Sequence, residues 1–257
     1  MSTAETTMSG PVHSLGRQEL LRVLNRAGGT SIVDEIIVKV GTDIIEGRLL
    51  PGDDLNSVEL ARTFGSSRTP VREALLTLER EGFVEISAHR RPRVAPLRIE
   101  EVRELYRVRA HLYALVSREV VQVASAADIA RLRVLQEQLE QAVEDDDVDR
   151  YFWINVHFRN TEAEIAGNRT LCRVLDSLGL RMLQLRHVSL SLPGRLQTSV
   201  DDHARLVRAY EDRDAELAAA LTAGLVMRGL AAIERSGWTG LGSVDDVERR
   251  TRPERLD

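Results

Sequence analysis

Apolar residues recur along most of this chain at the three-to-four spacing of helices rather than the alternation of strands. Ile32, Ile36, Val40, Ile44 and Ile45 fall near every fourth position, so residues 31–46 are expected to form a helix burying one stripe, stopped by Gly47. After the turn Leu50-Pro51-Gly52-Asp53, a short helix over about residues 57–64 carries Val58, Leu60 and Ala61 and ends at Gly65. Ser66 and Ser67 are N-cap residue types, and Pro70 suits the first turn of the helix that follows. In that helix Val71, Ala74, Leu75 and Leu78 make a single buried stripe, up to Gly82. Only then does the period change. Val84 and Ile86 alternate with Glu85 and Ser87, and a basic stretch leads to Val94, as in two short strands joined over residues 89–92. Three helices followed by a hairpin is the order of a winged helix-turn-helix.

From Leu97 onward the strand signal disappears. Helices are expected over about residues 99–125, 129–144, 147–166, 170–190, 199–212 and 214–236, with the clearest break at Ser191-Leu192-Pro193-Gly194. The fold class is therefore mainly α: an N-terminal winged helix-turn-helix with a small β-hairpin wing, then a C-terminal all-α bundle of about six helices. The expected organisation is an arm over 1–30 holding a short amphipathic stretch from Gln18 to Asn25, the winged domain over 31–97, the helical domain over 98–237, and a tail over 238–257 rich in charge, glycine and proline.

Composition narrows the class. A length of 257 residues accommodates two domains. The single cysteine, Cys172, lies beside Leu171 and Val174 and reads as a buried apolar filler. One thiol forms no intramolecular disulfide, which fits a reducing compartment. No basic start followed by an apolar run opens the chain, and no stretch approaches the roughly 18–20 uninterrupted apolar residues of a membrane span. No membrane partner is expected, and the expected location is the cytoplasm.

The net charge of −5 argues against a uniformly basic surface, but distribution matters more than the total. Between Arg62 and Arg93 the chain carries Arg62, Arg68, Arg72, Arg80, Arg90, Arg91 and Arg93 against Glu73, Glu79, Glu81 and Glu85, a net basic window in an acidic chain. A helix entering the major groove needs long cationic side chains near its N-terminus, because arginine bonds guanine bidentately and neutralises phosphate. Arg68 and Arg72 project from one side of the third helix, and Ser67 and Thr69 sit where free backbone N–H groups already favour a phosphate. His89, Arg90, Arg91 and Arg93 on the hairpin are placed to reach the backbone or the minor groove. A pair of arginines alone would be an ordinary solvated face; their coincidence with a short helix, a tight turn and a basic hairpin points to double-stranded DNA.

The runs Gly47-Arg48-Leu49-Leu50-Pro51-Gly52-Asp53-Asp54-Leu55, Glu59-Leu60-Ala61, Ser67-Arg68-Thr69-Pro70-Val71-Arg72-Glu73-Ala74-Leu75 and Leu78-Glu79-Arg80-Glu81-Gly82 resemble the DNA-binding domain of the GntR family of bacterial regulators. The resemblance covers about residues 31–97 and implies that Arg68 and Arg72 read the operator with Thr69 assisting. This sequence departs from the family at Val58, where arginine is frequent, and at Arg91, where the wing tip usually has glycine.

The helical half resembles the FadR branch, with its FCD-type ligand-binding domain, through Val108-Arg109, His157 with Gly167-Asn168, and His203 with Asp214-Ala215. Many members of that branch hold a divalent metal with an aspartate or asparagine and a histidine four apart, plus two later histidines. By position, His157 and His203 are retained, whereas Trp153 and Leu225 stand at the other two places. Two imidazoles seldom hold a metal tightly, so a metal is disfavoured and no cofactor is required; Asn155 and His187 are the candidate substitutes. His203, on a face with Leu206, Val207 and Tyr210, also reads as an ordinary semi-buried histidine.

With Trp153 and Leu225 standing where metal ligands would be, the expectation is a wide apolar effector pocket around Arg109, Trp153, His157, His203 and Leu225, with Arg109 anchoring a carboxylate or acyl-type small molecule more apolar than the small carboxylates of metal-bearing relatives. The resemblance also implies a homodimer on a short palindromic operator, usually repressing, with no catalysis. Two other readings remain: a constitutive or architectural DNA-binding protein with a vestigial pocket, and a metal-dependent enzyme using His157 and His203. The enzyme reading finds no third ligand at helical spacing, nucleophile elbow or phosphate-cradling glycine loop.

Overall fold

The computed structural model describes residues 11–24, 26, 30–88 and 90–238. Among them the chain forms eleven helices and one two-stranded hairpin. The first helix, α1 (Pro11–Val23), occupies the segment expected to be an arm. Leu20 and Leu21 are buried, and α1 packs on both the winged and the helical regions.

The winged region comprises α2 (Ile32–Ile45), α3 (Ser57–Thr63), α4 (Arg68–Arg80), β1 (Val84–Glu85) and β2 (Arg93–Val94). A reciprocal capping box between Ser31 and Asp34 starts α2 and satisfies two of the N–H groups a helix start leaves open. Asn56 does the same for α3, accepting from the Val58 and Glu59 amides. Ile36, Ile37, Val40 and Ile44 of α2 meet Val71, Ala74, Leu75 and Leu78 of α4, all at most 1% exposed. At about 1.5–3 kcal/mol for each fully buried large aliphatic, that stripe is the main stabiliser of the region. The strands pair antiparallel in the register Val84↔Val94 and Glu85↔Arg93.

The helical region comprises α5 (Ile99–Val123), α6 (Ala126–Glu144), α7 (Val148–Ala166), α8 (Arg169–Ser177), α9 (Gly179–Leu190), α10 (Arg195–Glu211) and α11 (Ala215–Arg235). The single helix expected over 170–190 is two, because Gly179 adopts a left-handed backbone (φ +68°) that breaks the ladder. The apolar run Leu178, Leu180, Leu183 continues across the break, which is why periodicity alone reads through it. The remaining α-helical boundaries lie within a few residues of those expected. Helix α11 is long and apolar enough to cross a membrane by length and composition, yet it lies along α5 with Ala218, Leu221, Leu225, Val226 and Leu230 buried. That is the position of a core helix.

Candidate functional site

The surface expected to read DNA is built on α4. Its stripe of Val71, Ala74, Leu75 and Leu78 turns inward, which leaves Arg68, Thr69 and Arg72 exposed on the outer face of the first turns. Ser67 takes the N-cap position without a side-chain cap bond, so the hydroxyl and the first amides face outward together. Arg68, Thr69 and Arg72 line a recess of about 580 Å³ closed on its sides by Ser57, Ile86 and Pro92. Val58, beside Ser57, is 57% exposed, an apolar side chain on the outside of α3.

On the wing, Arg90 and Arg91 are exposed. Arg93 is tied by its Nε to Asp54 at 2.7 Å, which fastens the hairpin to the turn before α3. His89 lies outside the described residues.

The helical region encloses two small cavities of about 40 and 20 Å³, room for a few water molecules at most. Around Arg109, His203 and Leu225 this differs from the wide apolar pocket expected; of the five residues only Trp153 lines a wide recess, of about 470 Å³, shared with Gly16 and Val38. Arg109 of α5 and Arg186 of α9 line both cavities, and Arg195 of α10 lines the smaller one beside Leu225 and Ser199. As whole residues, Arg109, Arg186 and Arg195 are between 4% and 7% exposed. Arg109 stacks within 5.6 Å of the Tyr106 ring and 5.4 Å of the Tyr113 ring. Arg186 donates to the Tyr113 hydroxyl at 3.3 Å. Burial first, and then the neighbouring Arg186, pulls the Arg109 guanidinium down to about 9. Burial raises the Tyr113 phenol, but Arg186, Arg109 and Arg159 outweigh it and leave it below its ordinary value. Such shifts mark positive charge in excess of its partners.

Of the five residues expected around the effector, Arg109 and Leu225 come together here. His203 lies behind the wall, fully buried, with Nδ1 2.7 Å from the Ser199 carbonyl and Nε2 3.1 Å from Asn155 Nδ2. Arg159, paired with Glu162 at 2.8 Å, also approaches Nε2, at 3.3 Å. Burial and then the Arg159 charge hold the imidazole far below its ordinary value, so it stays neutral with its proton on Nδ1.

Trp153 and His157 face α1 instead. The Trp153 indole donates to Glu46 at 2.8 Å and packs on Gly16, while His157 Nδ1 bonds Glu19 at 2.9 Å. The donor set does not fit a divalent metal: a guanidinium points at the one buried imidazole nitrogen that could bind it. His187, the other candidate ligand, is tied to Asp149 at 2.7 Å. Among the described residues no group of three or more His, Cys, Asp or Glu converges.

Two features escape sequence reasoning. Glu19 of α1 is 3% exposed and satisfies both His157 and the Asn160 amide, so α1 is bolted to α7. An acidic residue inside an amphipathic stretch gives no signal of a partner 138 positions away. Helix α9 carries Arg186 at the cavity and, 5 residues earlier, Arg181, whose Nε donates to the Gly82 carbonyl at 2.9 Å, just past the end of α4. Helix α9 thus spans the distance from the cavity to the reading helix.

Comparison with known proteins agrees with this architecture. Residues 32–94 match the bacterial regulatory proteins of the gntR family, and residues 104–227 match the FCD domain. The HTH-type transcriptional regulator YdhC of Bacillus subtilis is 28% identical over 182 residues, 68% of this chain and 79% of that protein. McbR of Escherichia coli, an HTH-type transcriptional regulator, is 28% identical over 173 residues, 66% of this chain and 78% of its own length. The transcriptional repressor RspR of the same species is 22% identical over 215 residues, 84% of this chain and 88% of RspR. The solved structure of E. coli McbR/YncC superposes with a TM-score of 0.70 at 25% identity, covering 81% of this chain and all of that one. With a reading helix, a two-stranded wing and a helical sensor in the matched order, the chain belongs to the GntR family of helix-turn-helix transcriptional regulators, in its FadR-like, FCD-bearing branch.

Proposed function

We propose that the chain is an effector-responsive repressor that grips a short, near-palindromic operator as a homodimer in the bacterial cytoplasm. The observation that carries this is the exposed trio Arg68, Thr69 and Arg72 on α4, joined through Gly82 and Arg181 to the helix that lines the sensor cavity. In this reading residues 31–97 bind DNA, with Ser67, Arg90, Arg91 and His89 on phosphates or the minor groove, and residues 98–237 bind the effector and the second copy. Repression is favoured by relatives such as RspR and the gluconate operon repressor of B. subtilis. Val108 and Leu115, seven apart on α5 and 50% and 41% exposed, offer an apolar stripe for dimerisation.

A homodimer must hold two reading helices about one DNA turn apart. An effector that separates Arg109 from Arg186 moves α9, and with it the C-terminal end of α4; the spacing of the two heads then changes. Typical coupling of about 1–3 kcal/mol alters operator affinity some 5- to 150-fold. The test is fluorescence anisotropy of the full chain on its own promoter DNA against random-sequence DNA. Arg72→Ala is expected to cost about 1–3 kcal/mol and relax the preference at particular base pairs. Unchanged affinity and preference in that variant would overturn the reading-helix assignment.

A further inference from the structure

We propose that the cavity between α5, α9 and α10 is a metal-free site for a compact polyanion, a small molecule with at least two acidic groups gripped by Arg109, Arg186 and Arg195. This rests on the sensor-cavity reading above and names what the sensor takes. The three side chains come from three helices and are each more than nine-tenths buried. Nε of Arg109, Nε and one terminal nitrogen of Arg186, Nε of Arg195 and Oγ of Ser199 have no hydrogen-bond partner. Among the described residues none of the three guanidiniums has a carboxylate within ion-pair distance, whereas the neighbouring Arg159 is matched by Glu162.

Burying one charge without a counter-charge costs several kcal/mol, and like charges in one cavity add repulsion. A fold keeps such a cluster where an anion supplied from outside completes it. Asp202 lies near enough to offset part of the Arg195 charge, so a single carboxylate would still leave one of Arg109 and Arg186 unmatched, and the cluster selects a ligand of two or more negative groups. Shape agrees. Arg109 and Arg186 are the wall between the two cavities, so an anion drawn between them merges both into one site. As they stand the two cavities hold only water, so the ligand enters by parting the two guanidiniums, and the polar side chains of Asn155, Ser189 and Ser199 lining the smaller one favour an acid over an acyl chain. At the rim of the larger cavity Arg22 of α1 is already balanced by Glu19 and by Asp176, each at 3.3 Å, so the uncompensated charge lies inward, on Arg109 and Arg186. Arg159, balanced by Glu162, occupies the His203 nitrogen that a metal would use, which leaves the anion to the guanidiniums.

The experiment is thermal unfolding of the EDTA-treated full chain at fixed ionic strength with citrate, inorganic phosphate or decanoate, repeated on Arg186→Met. Citrate or phosphate is expected to raise Tm saturably by about 5 °C, while decanoate does not. A larger shift with citrate marks a polycarboxylate ligand and a larger shift with phosphate a phosphorylated one. The variant is expected to lose the shift yet unfold at the same temperature as the unliganded parent or higher, since an unmatched buried charge has gone.

Because citrate and phosphate also stabilise proteins non-specifically, an equal shift in Arg186→Met would overturn the proposal. So would no shift with either polyanion, an equal shift with decanoate, or binding only after a divalent metal is added. If Arg186→Met does not fold, Arg195→Met is read by the same criteria. Specific operator binding, measured separately, distinguishes failure of this site from failure of the regulator reading.

Discussion

Gly16 is where the docking of α1 can be tested by the sign of an effect. Gly16→Ala lies inside a helix, and helix propensity alone predicts a gain of about 1 kcal/mol. The structure predicts the opposite. An added Cβ would stand 2.8 Å from Trp153 Cε2, with two further ring carbons at 3.1 and 3.2 Å, against the 3.4 Å or more of ordinary contact. The ring cannot swing away cheaply: it is 2% exposed, held by Glu46 at 2.8 Å and packed edge-on against Phe152. Helix α1 must therefore retreat by at least about 0.6 Å, straining the Glu19 bonds to His157 and Asn160 and the seats of Leu20 and Leu21. Overpacking of this kind costs about 1–3 kcal/mol. After the propensity gain, a net loss of about 1–2 kcal/mol is expected, a fall in Tm of roughly 3–6 °C for a chain of this size. The assay is thermal unfolding with indole fluorescence in a Trp238→Phe background, where Trp153 is the only indole left. A red shift should accompany the loss. A raised Tm with unchanged emission would refute the seating of α1 on Trp153 and, with it, α1 as part of the sensor wall.

Val58→Arg, at an exposed position on α3, should tighten binding to any DNA and steepen the log–log salt dependence by about 0.9, as one added phosphate contact does. Arg90→Ala should weaken binding evenly across sequences and flatten the same slope by about one contact, whereas Arg72→Ala should change sequence preference. The Glu19–His157 contact gives α1 docking a pH window. The hydrogen bond to Glu19 raises His157 above 6.5, so its contribution is complete below that value and is lost as pH rises through the raised one. Burial raises Glu19, but His157 and Arg22 outweigh it, so its contribution is complete above about 4.5 and lost as pH falls. Trp153 emission should therefore report tightest docking between about pH 4.5 and 6.5, and Glu19→Gln should flatten the profile; a parent profile flat from 5 to 9 would contradict the pairing.

The reading head was legible from sequence because each of its cues is short-range. Pro70 in a first turn, the stripe Val71, Ala74, Leu75, Leu78, and Gly65 and Gly82 as stops together determine α4 within a dozen residues, and the arginines fall on the face the stripe leaves over. Arg109 and Leu225 were reached through resemblance, and position along a helix sufficed to bring them to one cavity. Trp153 and His157 were reached the same way, but their helix presents them to α1, a partner no local pattern reveals.

What the sequence by itself determined is therefore the class of the molecule: a winged reading head, its outward arginines, and a helical domain behind it. Only the tertiary structure decided what that domain holds. Arg186 and Arg195 are separated from Arg109 by more than seventy positions and lie on other helices, among arginines that sequence gives no reason to distinguish from solvated ones. Their meaning depends on burial and on having no carboxylate in ion-pair contact, which are properties of the packed interior. The same holds for the break at Gly179 and the bond from Arg181 to Gly82: a backbone torsion and a contact across the two regions, set by how the helices meet and not by the period of any one of them.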